Sequence, residues 1–142
     1  MFEIKKVTEE NYGLAMKFLQ NVPSIKDIDE EVLYNASLLY DDTEISGAVA
    51  FEKFHSYALV RYFIFKRHIE AEVIKELFLS LEDSAKECNM KFIFSVVTTD
   101  DIESLFKELS FKEIDKEKVF IDEENFLKSK FKDTKMMIKE LV

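Results

Sequence analysis

Two histidines and one cysteine limit what this chain can do with imidazole or thiol chemistry. His55 stands three residues after Glu52, near the end of an apolar segment. A carboxylate and an imidazole so placed can each take a proton from a substrate group. The same residues also read as a solvated hairpin end. Arg61, Lys66, Arg67 and His68 form the one basic cluster, and Arg61 and Arg67 are the only arginines. Guanidinium groups match phosphate geometry, so the cluster reads as an anion grip for a nucleotide-like ligand. Its plainer reading is charge balance for Glu70 and Glu72 just beyond it. No carboxylate or cysteine accompanies the histidines at ligand spacing, and no metal site is expected. Cys88 falls on an apolar helical face and reads as a core residue.

The glycine count excludes more than any motif includes. Gly13 and Gly47 are the only two. Neither a GxxxxGK[ST] loop nor a GxGxxG loop can be written with them, which removes P-loop kinases and ordinary nicotinamide Rossmann enzymes. A net charge of −9 and a pI near 4.8 argue against a nucleic-acid partner. With 142 residues, 47% of them hydrophobic, the chain is expected to form one domain over 1–142. The longest apolar runs, such as Ala48–Phe51 and Tyr62–Phe65, are far short of the ~20 residues that cross a membrane. The first residues have no signal-peptide shape, and a single cysteine makes the cytoplasm the default compartment. Phe is abundant at 14 residues, but those at 78, 92, 94 and 106 fall on apolar faces and read as core rather than as a stacking surface.

The elements that would carry these groups follow from periodicity. Phe2–Val7 alternates as a strand. Thr8 is the expected N-cap of a helix over Glu9–Val22 that buries Tyr12, Ala15, Met16, Leu19 and Val22. Ile28–Leu33 reads as a short helix. Ala36–Tyr40, Glu44–Phe54 and Tyr57–Phe65 read as strands, the last two joined by a hairpin. A helix then runs to Asn89, with Val73, Ile74, Leu77, Phe78, Leu81, Ala85 and Cys88 on one face. Lys91–Val97 is apolar on both faces, as in a strand covered from both sides. Thr98–Asp101 caps a helix burying Ile102, Leu105, Phe106 and Leu109, and strands are expected at Lys112–Ile121 and Lys135–Leu141. A hairpin series followed by a βαβα unit makes a mixed, twisted α/β sheet with helices on both faces.

This order resembles the GNAT superfamily of N-acetyltransferases over nearly the whole chain. Glu44–Phe51 is similar to the family's third strand with its x-I-x-G-x entry, and Ala58–Ile64 to the fourth, which lines the acetyl-CoA cleft. Phe106–Ile114 is similar to the Y-E-K-L-G-F-x-x-I segment, and Met136–Leu141 to the final strand. The resemblance implies a splay beside the fourth strand. Pantetheine would run along Phe63, Ile64 and Phe65, the acyl carbonyl would meet a backbone N–H near Ile64, and phosphates would meet Arg67, His68, Glu72, Val73 and Ile74. Glu52 or His55 would serve as base for a small-molecule or peptide amine.

The chain departs from the family at three places. The [RQ]-x-x-G-x-[GA] loop falls on Ile69–Ile74, where Ile69, Glu72 and Ile74 match none of its three fixed positions. Phe106 replaces the tyrosine that often protonates the leaving thiolate, and Ser110 replaces the turn glycine. Where the family often places a glutamate on the fourth strand, Arg61 and Tyr62 stand. Weak acetyl-CoA binding is therefore expected. The alternatives to an acetyltransferase are a catalytically inactive module binding another ligand or a protein, and a structural half of a homodimer.

Overall fold

A computed structural model describes residues 2–23, 25, 27–97, 99–113 and 135–141. Seven strands form one sheet: β1 (Phe2–Lys6), β2 (Ser37–Asp41), β3 (Glu44–Phe54), β4 (Tyr57–Phe65), β5 (Phe92–Val97), β6 (Lys112–Glu113) and β7 (Lys135–Glu140). Their order is β1-β2-β3-β4-β5-β7-β6. Only β4 and β5 run parallel. The helices are α1 (Tyr12–Gln20), α2 (Glu30–Tyr34), α3 (Ala71–Glu87) and α4 (Asp100–Glu108).

Alternation along the central strands sorts the helices onto two faces. Leu39, Val49 and Phe51 pack with Leu77, Phe78 and Leu81 of α3 and Phe106 of α4. Their sequence neighbours Leu38, Ala48 and Ala50 pack with Ala15, Phe18 and Leu19 of α1 and Leu33 of α2. A mixed sheet with helices on both faces is what the pattern implied. On the half of the sheet that includes β5 and β7, Leu59, Phe94 and Met136 form a third cluster. The buried Glu82 carboxylate accepts a 2.6 Å hydrogen bond from Lys139 and so ties α3 to β7.

Local chemistry fixes the helix ends. The Asp29 carboxylate caps α2 by accepting from the Glu31 and Val32 N–H groups, and the Thr99 hydroxyl caps α4 by accepting from Ile102 N–H. Asn89 and Ser110 both take left-handed φ, 63° and 71°, just past α3 and α4. Each is followed by a residue whose N–H returns to the helix: Met90 to the Ala85 carbonyl and Phe111 to the Phe106 carbonyl. These are paired Schellman terminations, one on an Asn and one on the Ser that stands at the glycine position.

Several expectations need correction. Helix α1 starts at Tyr12, and Thr8 is not its cap. The Asn11 side chain accepts from Thr8 N–H at 2.7 Å and donates to the Lys6 carbonyl at 3.1 Å, so residues 8–11 close into a turn. The buried stripe of α1 is Ala15, Phe18 and Leu19, with Tyr12, Met16 and Val22 only half-buried. Helix α2 likewise starts two residues late, behind its Asp29 cap. Phe92 is half-buried and stacks on Tyr57 at 5.1 Å; the fully buried ring of β5 is Phe94. Cys88 is the C-cap of α3 and half-buried rather than core. Of the strand expected over Lys112–Ile121, the first two residues form β6, and 114–121 lie outside the described residues.

Candidate functional site

The site begins where two strands part. β4 and β5 pair only through Tyr57–Leu59 and Phe92–Phe94. Beyond these residues the β4 edge facing β5 has no ladder partner among the described residues. On its other edge β4 carries a bulge: Ala48 pairs with Ile64 but Ala50 with Arg61, so β4 holds one extra residue there. Tyr62 sits in it at φ 54°, a conformation a bulky residue rarely takes. Two contacts hold it. Its hydroxyl accepts from Asp29 N–H at 2.9 Å, and the Arg61 guanidinium lies 5.1 Å from its ring.

The extra residue decides where the phenylalanines point, because a one-residue slip reverses a strand's faces. Val60, Phe63 and Phe65 all pack toward the α3/α4 core, while Tyr62 and Ile64 pack toward α1 and α2. Phe63 and Phe65 thus form one wall of a 390 Å³ cavity. Arg67, His68 and Ile69 continue that wall, Ala71 and Ile74 of α3 close one end, and Asp101, Ile102 and Leu105 of α4 lie opposite. Under Phe63 lie Phe78 at 5.2 Å and Phe106 at 6.3 Å, with Phe111 4.8 Å from Phe106. Phe106 is 1% exposed and belongs to the apolar cluster under α3 and α4.

The loop into α3 offers backbone donors. The Ile69 side chain is buried in the core and anchors the loop. The Val73 and Ile74 N–H groups bond the Glu70 carbonyl at 3.0 and 3.2 Å. Those of Ile69, Glu70, Ala71 and Glu72 make no hydrogen bond among the described residues. Four free N–H groups at a helix start favour an anion. Side chains oppose it: Glu72 lies in the first turn, and Asp101 lines the cavity.

The cations nearby have carboxylate or aromatic partners. Arg67 is ion-paired with Asp41 of β2 and lies 5.6 Å over the Phe2 ring. Lys66 turns to the other face, over Phe18. Lys75 bonds Glu108 at 3.3 Å and Glu72 at 3.4 Å. Its pKa is raised, chiefly by the hydrogen bond to Glu108. His68 is exposed at the cavity rim.

The structure therefore gathers Phe63, Phe65, Arg67, His68 and Ile74 around one cavity. Ile64 belongs to the opposite face, Val73 is half-buried against the α3 core, and Glu72 is exposed at the helix start. Glu52 and His55 are not part of the cavity lining. Glu52 is ion-paired with Arg61 and points to the α1/α2 face, since its neighbour Phe51 points to the other. His55 is exposed at the β3–β4 turn, roughly 20 Å along the strand from Phe63. The cavity residues that sequence reasoning assigned to packing alone are Ile102 and Leu105. Their i, i+3 spacing marks an inward face, and it cannot separate a core from a cleft wall. Among the described residues no group of three or more His, Cys, Asp or Glu is placed to hold a metal, and no helix is long and apolar enough to cross a membrane.

A seven-stranded sheet that splays beside a bulged fourth strand, with a helix starting at the mouth of the splay, is the fold of the GNAT superfamily of N-acetyltransferases, and solved structures bear this out. The chain superposes on an acetyltransferase of the GNAT family from Staphylococcus aureus Mu50 with a TM-score of 0.70 and 13% identity, over 100% of both chains. It superposes on the N-acetylglutamate synthase of Neisseria gonorrhoeae, complexed with coenzyme A and N-acetyl-glutamate, with a TM-score of 0.73 and 12% identity; all of this chain is covered but only 35% of that one. The ribosomal-protein-S18-alanine N-acetyltransferase of Escherichia coli gives 0.65 and 10% identity over 99% of this chain and 94% of that one. No family model and no curated protein matches the sequence.

Proposed function

We propose that the chain is an acyl-CoA-dependent N-acyltransferase acting on a small-molecule or peptide amine. The observation that carries this reading is the parting of β4 from β5 at a bulge, which opens into a cavity ending at the free N–H groups of α3. The fit to acetyl-CoA divides in two. The pantetheine arm has what it needs: an unpaired strand edge for its amides and apolar walls from Phe63, Phe65 and Ile102. The pyrophosphate end has backbone donors from Ile69 to Glu72, but it faces Glu72 and an Arg67 already paired with Asp41.

A bound acyl-CoA supplies the activated acyl thioester. The chain supplies position: in this reading a backbone N–H on the unpaired edge of β4 near Ile64 meets the carbonyl oxygen of an acyl group lying in the splay. Glu52, on the α1/α2 face and ion-paired with Arg61, serves in this reading as the base for an amine arriving on that side. The distance of His55 removes it from that role. Phe106 cannot donate a proton, so the departing thiolate draws its proton from water. Titration with acetyl-CoA, followed by thiol release in the presence of amines, tests the reading. Saturable binding with amine-dependent release supports it.

A second reading is favoured by Phe106 and Glu72 together: a non-catalytic module that keeps the cleft for another ligand. Binding without thiol release from any amine, or no binding at all, would favour it.

A further inference from the structure

The pairing of Arg67 has a consequence for ligand affinity. Arg67 is the one guanidinium lining the cavity, and it follows β4 directly at the mouth of the splay. Its partner Asp41 ends β2, two strands away, and the Asp41 side chain is 25% exposed. The Phe2 ring, paired across β1–β2 with Asp41, lies beneath the guanidinium at 5.6 Å. Asp41 and Phe2 thus hold the cation with an ion pair and a ring contact.

We infer that Asp41 is an affinity-setting residue: it occupies the Arg67 guanidinium at the cavity, and an anionic ligand must compete with it for that group. This rests on the acyl-CoA reading of the same cleft. Asp41 does not touch the ligand in this account; it is a positioning residue acting through Arg67. A half-exposed ion pair is worth about 0.2–1 kcal/mol, which as a competition cost is up to about a five-fold change in Kd.

The test compares acetyl-CoA with acetyl-pantetheine, which lacks the nucleotide and its phosphates, by calorimetry on the full chain. Asp41→Asn should tighten acetyl-CoA about three- to five-fold and leave acetyl-pantetheine unchanged. Asp42→Asn removes a like charge one residue away and should change acetyl-CoA affinity by less than about two-fold. In an Arg67→Gln background the Asp41 substitution should have no effect, because the group it acts through is gone. Phe2→Leu removes only the stacking partner and should move the Kd the same way, by about two-fold; it serves if the Asp41 variant does not fold. The inference is overturned if Asp41→Asn leaves acetyl-CoA affinity unchanged, matches Asp42→Asn, or acts equally without Arg67. If neither probe binds any variant, the acyl-CoA reading itself falls and the competition with it.

Discussion

Gly47 gives the sharpest check on the geometry of the cleft. It lies on β3 opposite Phe65, whose ring crosses directly over it. A Cβ at this position would sit 2.7 Å from Phe65 Cε1, closer still to Cδ1, and 3.3 Å from the Ile64 carbonyl oxygen. Its φ is not positive, so space and not backbone conformation demands the glycine. In Gly47→Ala the ring must move. Its free direction is into the 390 Å³ cavity that it borders. Overpacking of this kind costs about 1–3 kcal/mol, and the half-buried ring's freedom puts the cost near the lower end, at about 1–2 kcal/mol. For a domain of this size that lowers Tm by roughly 3–8 °C. Thermal melts of Gly47→Ala, Phe65→Ala and the double variant measure it. Removing the ring should remove most of the penalty, leaving a coupling of about 1 kcal/mol between the two positions. Ligand affinity should fall in the single variant, as the displaced ring narrows the cleft. A Gly47→Ala protein that melts like wild type, or a penalty just as large in the Phe65→Ala background, would refute the argument.

Lys139→Ala strands the buried Glu82 carboxylate and should cost about 3 kcal/mol or more by chemical denaturation. Ser110→Gly relieves a non-glycine residue at φ 71° and should raise stability by about 1 kcal/mol while leaving α4 unchanged by circular dichroism. Phe94→Ala opens a cavity at a fully buried position and should cost about 3–5 kcal/mol; Phe92→Ala, at a half-buried ring, should cost clearly less in the same urea titration.

The sequence made most of the fold legible because its signals are local. β3 and β4 follow from two apolar segments joined by a short hairpin, and the end of α3 follows from Asn89. The start of α1 was hidden because Thr8 is a good cap by type, and only the folded turn shows Asn11 taking the backbone groups around it. For the site, the β4 residues and the loop could be read, since resemblance and charge both pointed to them. The bulge could not. Nothing in Arg61-Tyr62-Phe63-Ile64 announces an extra residue, because Tyr62, Phe63 and Ile64 are all good strand formers and the segment holds no Gly or Pro. It appears only when β3 fixes the register on both sides. The pairing of Arg67 with Asp41 was equally invisible, since the partners are 26 positions apart and meet only across β2 and β3.

One question about the cleft remains separable by experiment: whether its departure from the glycine loop acts through bulk or through charge. The bulk is partly accounted for. Ile69 is turned mostly into the core, and of the three mismatched residues Ile69 and Ile74 line the cavity while Glu72 does not. The charge is only partly relieved. Glu72 stands in the first turn of α3, exposed and with Lys75 at 3.4 Å, Arg67 is held by Asp41, and the chain as a whole carries −9. The dominant obstacle to a polyanionic ligand is therefore repulsion, and repulsion is screened by salt, with a Debye length that falls from about 10 Å at 0.1 M to about 3 Å at 1 M. Acetyl-CoA should bind more tightly as sodium chloride rises from about 0.05 to about 0.5 M, the reverse of what a basic cradle gives. Glu72→Gln should tighten binding at low salt and flatten the dependence, while Ile74→Ala should change affinity equally at all salt concentrations. If affinity instead weakens with salt in the wild-type protein, a cation reaches the phosphates in spite of Asp41. The bulk of Ile69 and Ile74 would then be the remaining account of any weakness.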